Sequence, residues 1–205
     1  MKLSIEEIQK VCSKENSVGR GGSRQVFALS NEIVIKIPHQ PYSCGYADQS
    51  IIENEFYNDL ETSYPEYKDL FCRRLASVDV PVSEEEAGYI NSPYVPILIM
   101  ERVTPLNSDS LGQIIYEWYD DINIGDIFHL WYGEEEGNYE FERILEAINT
   151  FGIVDVSRHL PNWGVTTEGR IVIIDCGIIG YGSSFISSNY SNCISPSDFP
   201  QGMIC

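Results

Sequence analysis

The sequence contains no Cys-x-x-Cys pair, and its three histidines stand far apart, at positions 39, 129 and 159. The ligand spacing of a structural zinc site is therefore absent. Six scattered cysteines, Cys12, Cys44, Cys72, Cys176, Cys193 and Cys205, read as free thiols of a reducing compartment. No run approaches the ~20 apolar residues that a membrane helix requires. The opening MKLSIEEIQKVC places acids where an export signal would be apolar, which predicts a cytoplasmic protein without membrane contact. Basic residues are scarce: 13 Lys and Arg face 31 Asp and Glu, for a net charge of −18. Direct binding to nucleic acid is not expected on that ground, because such affinity comes largely from neutralising phosphates. Residues 101–155 carry 13 acids against Arg102 and Arg143 alone. This stretch is either a well-solvated surface or a face for a basic protein partner, including one that ordinarily binds nucleic acid.

What is present is an ordinary globular composition, 43% apolar over 205 residues. That length suits one domain or two small lobes, and it buries roughly 70% of the unfolded surface without staples. The pattern predicts a short helix at 4–15, paired strands at 25–29 and 32–37 turning at Ser30-Asn31, and a helix from Gln49 to about Leu60. Strands are expected at 73–80 and 95–103, separated by a loop holding Glu84, Glu85 and Glu86. A helix follows around 111–119, then a loop holding Glu134, Glu135 and Glu136. A further helix at 139–151 carries the stripe Phe141, Ile144, Leu145 and Ile148. A polar turn at 155–164, a hairpin at 165–175 and an irregular Ser-rich tail complete the chain.

Four elements carry chemistry. Gly19, Gly21 and Gly22, followed by Ser23, form a turn whose backbone N–H groups can approach phosphate oxygens closely. They precede a strand rather than a helix, which argues against a dinucleotide fingerprint or a P-loop. Lys36 shares a strand face with Val34, opposite Ile33, Ile35 and Ile37. It requires a carboxylate partner, and the helix at 49–60 offers Glu53 or Glu55. Glu53 is preferred because Phe56 and Tyr57 at +3 and +4 would anchor its face. Asp175 ends the apolar run Ile171-Val172-Ile173-Ile174, and Asn162 lies 13 residues upstream across the hairpin. Their oxygens suit a magnesium ion shared with substrate phosphates.

In this order the pieces resemble the protein-kinase-like superfamily. GRGGSRQV matches its glycine-rich loop, IVIK its strand lysine and Glu53 the helix partner. ILIMERV matches the hinge strand, SRHLPNWG the catalytic loop and IIDCG the metal-binding position. The resemblance runs from about Val18 to Gly177 and is nearest to very compact kinase-like proteins of bacteria and their phages. It implies an α+β chain with a minimal bilobal fold. Residues 1–101 would form an antiparallel N-lobe with one helix, and 102–205 a reduced helical C-lobe. It further implies ATP and Mg²⁺ as cofactors. Lys36 would hold the phosphates, Asn162 and Asp175 the metal, and the backbone near Glu101 the adenine. For a phage-encoded chain the compartment would be the host cytoplasm.

The departures from that pattern matter. Ser157 stands where the family's catalytic aspartate is expected, with His159 two residues on in register and Asp155 two residues earlier as a substitute base. Arg24 replaces the third glycine. Only 28 residues follow Gly177, too few for a large helical lower lobe. The resemblance thus implies a small ATP- and Mg²⁺-dependent phosphotransferase acting on protein Ser/Thr. The alternative is a pseudokinase serving as an acidic protein-binding inhibitor or anti-defence module of a phage or mobile element. A kinase of cationic small molecules fits the short chain less well.

Overall fold

The computed structural model describes residues 4–21, 23–40, 46–106, 124–153 and 162–175. Within them the chain is α+β, with two antiparallel sheets and five α-helices. Helix α1 (Ile5–Val11) starts at a capping box, in which Ser4 and Glu7 satisfy each other's backbone N–H groups. Strands β1 (Ser17–Arg20), β2 (Arg24–Ala28) and β3 (Ile33–Pro38) form consecutive hairpins. Helix α2 (Tyr46–Thr62) follows, then β4 (Arg74–Pro81), helix α3 (Glu84–Ile90) and β5 (Tyr94–Glu101). The sheet order is β1-β2-β3-β5-β4, so the apolar strand β5 lies inside, between β3 and β4. Burial of Val95 through Met100 is what its nearly continuous apolar sequence predicts.

The two faces of this sheet bury different partners. Ile35 and Ile97 pack with Ile8 of α1. Val34, Leu98 and Met100 point the other way, into a cluster with Phe56, Tyr57 and Leu60 of α2. The same cluster continues into α4 (Ile124–Tyr132), α5 (Glu134–Phe151) and the hairpin of β7 (Trp163–Val165) and β8 (Ile171–Ile173). A two-residue strand β6 (Thr104–Pro105) completes the second sheet in the order β6-β7-β8. Cys72 N–H donates to the Ile173 carbonyl at 2.8 Å, so the segment after α2 is stitched directly to β8.

Both glutamate triplets expected as loops are instead first turns of helices. Ser83 caps α3, with Glu86 returning a hydrogen bond to the Ser83 backbone. Glu134, Glu135 and Glu136 open α5 behind Gly133. Acids there meet the positive end of the helix dipole, so part of the chain's negative charge serves helix starts. Helix α4 was not expected at all. Of the expected stripe on α5, Ile144 is buried, Phe141 and Ile148 pack against the core and Leu145 is 36% exposed, while Ala147 and Phe151 complete the buried face. Gly137 inside α5 has a steric reason. A Cβ at that position would come within 2.7 Å of the Phe128 carbonyl oxygen, so the backbones of α4 and α5 touch there. The helix expected at 111–119, most of the polar turn at 155–164 and the Ser-rich tail lie outside the described residues. Among those described, no helix is long and apolar enough to cross a membrane.

Candidate functional site

Lys36 sits mid-strand on β3, opposite Val26 of β2 and Leu98 of β5, and is 7% exposed. An ammonium group cannot remain there without partners. It donates to Glu53 Oε1 at 2.8 Å and to the Ile174 carbonyl at 2.6 Å. Glu53 is buried on α2 because its helical face also carries Phe56, Tyr57 and Leu60. Glu55, the other candidate, is exposed. The second bond of Lys36 reaches across 138 residues of sequence to the position next to Asp175. Strand β8 and the sheet thus converge on one ammonium group.

Arg24 joins the same cluster. Its side chain lies almost fully buried at the start of β2. Nη1 meets Glu53 Oε2, and Nη2 donates to Asp175 Oδ1 at 2.8 Å. Two cations and two carboxylates therefore form a chain, Lys36–Glu53–Arg24–Asp175, in which only the Asp175 side chain keeps substantial exposure, 40%. Sequence reading marked Arg24 as a departure from a glycine pattern and gave it no role. No local signal marks it, since its partner Asp175 lies 151 residues on.

The glycine turn lies beside this cluster. Gly19 pairs with Val26 in the β1–β2 ladder, and Gly21 N–H donates to the Arg24 carbonyl at 2.8 Å. A ring nitrogen of His39 lies 3.0 Å from the Gly21 carbonyl oxygen. The Ser23 hydroxyl contacts the Gln49 side chain, and its carbonyl accepts from His39 N–H at 2.8 Å. Gly22 is outside the described residues, as are Asp155, Ser157 and His159. The Asn162 carbonyl accepts from the N–H groups of Ile174 at 2.8 Å and Asp175 at 3.4 Å. Its backbone thereby fixes where β8 ends and where Asp175 projects.

The magnesium ion expected at Asn162 and Asp175 would meet a carboxylate that is already paired. Asp175 Oδ1 is engaged by a guanidinium, and among the described residues no three His, Cys, Asp or Glu side chains converge to hold a metal.

Glu101 ends β5 away from the Lys36 cluster. Its N–H donates to the Arg73 carbonyl, its Oε1 accepts from Arg73 N–H at 2.7 Å, and its carbonyl lies 3.3 Å from Cys72 Sγ. It borders a cavity of about 530 Å³ whose lining includes Tyr57, Phe71, Cys72, Arg73 and Arg74. Burial pushes the Cys72 thiol up to about 12. Against the ordinary 9.0, the thiolate fraction near neutral pH falls about a thousandfold. Alkylation of Cys72 in the native protein at pH 8 is therefore expected to be slower than that of a free thiol by about that factor, read by peptide mapping after iodoacetamide. Labelling at the free-thiol rate would contradict the burial. Because the folded pKa is raised, the corresponding stability is complete below pH 9 and is lost as pH rises from 9 towards 12.

No protein-family model matches the chain, and no curated protein matches it.

Proposed function

We propose that the chain is a kinase-like nucleotide-binding protein of the pseudokinase kind, holding a nucleoside triphosphate between the glycine turn and β8. The observation that carries this reading is the position of Lys36, whose ammonium bridges a helix carboxylate and the residue before Asp175. A lysine bonded to the residue before a strand-end carboxylate, beneath a glycine turn, suits the positioning of phosphate oxygens. Two features favour binding over turnover. Asp175 is committed to Arg24, and Ser157 stands in place of a general base whose loss typically costs ~10²–10⁴-fold in rate. The charge of −18 suits a module that occupies a basic surface on another protein.

The test is thermal unfolding with and without ATP. A ligand at 100 times its Kd adds about 2.7 kcal/mol to the unfolding free energy. Such a gain is expected for the natural chain, and a much smaller one for Lys36→Met at the same ATP concentration. An unchanged melting curve at millimolar ATP would remove nucleotide binding from the account.

A second reading, a slow phosphotransferase acting on protein Ser/Thr, is favoured by the Lys36–Glu53 pair, which catalysis in this superfamily requires. Transfer of label from γ-labelled ATP to the chain or to a basic protein, lost in Lys36→Met, would select it.

A further inference from the structure

We propose that Arg24 stands in for a divalent cation at Asp175, so that a ligand's phosphates meet a carboxylate already neutralised by the chain rather than one that needs a metal. The inference rests on the nucleotide reading and specifies how that ligand is held.

The charge balance comes first. Lys36, Glu53 and Asp175 alone leave one uncompensated negative charge beside the place where a polyphosphate would lie. Such a site repels its ligand until a metal neutralises the carboxylate. Arg24 removes that excess with a group built into the chain. It does so at the right atom, since Nη2 is 2.8 Å from Asp175 Oδ1. A magnesium ion bound at ~2.1 Å from the same oxygen would lie within about 5 Å of Nη2, two units of positive charge against one. Metal and guanidinium therefore compete for Asp175.

Arg24 also holds the stronger position in that competition. Its other nitrogen is tied to Glu53, its carbonyl accepts from Gly21 N–H at 2.8 Å, and its side chain is almost fully buried. The guanidinium is thus fixed beneath the glycine turn before any ligand arrives, with its planar fork given to two carboxylates. The exposed side of Asp175 marks where solvent, and so a ligand, reaches the cluster.

The experiment compares ATP affinity by titration calorimetry in EDTA and in millimolar Mg²⁺. For the natural chain the two Kd values are expected to agree within about threefold. Arg24→Gln is expected to bind at least tenfold more weakly in EDTA and to regain affinity with Mg²⁺. A purely structural arginine would lower the melting temperature without creating this metal dependence. Tightening of the natural chain by more than threefold in Mg²⁺ overturns the proposal and leaves the nucleotide reading standing. Unweakened binding by Arg24→Gln in EDTA also overturns it. The natural-chain comparison needs no variant and decides the proposal by itself if Arg24→Gln fails to fold. If ATP binds in neither buffer, the nucleotide reading fails, and inorganic tripolyphosphate in EDTA decides the rest. Binding that weakens tenfold in Arg24→Gln assigns Arg24 to another polyphosphate ligand, and no binding ends the proposal.

Discussion

Glu53→Gln is expected to lower the unfolding free energy by about 3–5 kcal/mol, the range for breaking a buried ion pair from one side. The substitution is nearly isosteric, so packing against Phe56 and Tyr57 is kept and the loss isolates charge. Glu53 Oε1 accepts from Lys36 and Oε2 meets Arg24, and all three side chains are less than 10% exposed. Removing one carboxylate therefore leaves two buried cations without their shared counter-ion. A domain of this size has only about 5–15 kcal/mol in total, so the variant should show a much lower urea midpoint. The effect should persist at high salt, because buried pairs are screened far less than exposed ones. Glu55→Gln, two residues away on the solvent side of α2, should cost no more than about 1 kcal/mol. Equal losses at the two positions would show that helix α2 does not orient its glutamates as described.

That contrast also locates what the sequence could disclose. Strand periodicity placed Lys36 against Val34 on one face, and the apolar residues at +3 and +4 from Glu53 selected it over Glu55. Asp175 was visible as the polar end of a continuous apolar strand. Each of these is a local pattern, set by the geometry of one element. Arg24 was not legible in this way. Its partner Asp175 lies 151 residues on, and nothing local distinguishes a strand arginine that snorkels to water from one that closes a buried network. Its role follows only from the fold that brings β2, α2 and β8 together.

The helix starts divide similarly. Ser83 and Glu86 spell a capping box, so α3 was in principle readable although three adjacent glutamates suggested a loop. Helix α5 begins at Gly133, with φ at 86° and no side-chain cap, and its acidic first turn was the only cue. Of its expected stripe, Phe141, Ile144 and Ile148 do face the core and Leu145 does not, while the small Ala147 was passed over. An alanine contributes little to an apolar pattern, yet here it is fully buried and sets the phase that turns Leu145 outward. The same lesson applies to Gly137, whose missing side chain is what lets α4 and α5 approach.

Phe151→Ala is the second large effect expected, a loss of about 3–5 kcal/mol by truncation of a fully buried aromatic side chain. Phe151 ends α5 just before Gly152, whose φ of 61° closes the helix in the left-handed region. Its ring stands edge-on to four others, Phe56 at 5.0 Å, Tyr64 at 5.2 Å, and Tyr67 and Phe71 at 5.8 Å between centroids. Those partners come from α2 and the segment after it, so one side chain couples α5 to the helix that carries Glu53. Phe151→Leu keeps much of the volume but loses the edge-to-face geometry, worth about 0.5–1.5 kcal/mol for an aromatic pair, and should fall between the natural chain and Phe151→Ala. Because Phe56 contacts Phe151 three residues on from Glu53, the alanine variant should also loosen the Lys36–Glu53 pair. Faster amide exchange along α2, as well as across α5, is the expected signature, and a loss of protection confined to α5 would refute the coupling.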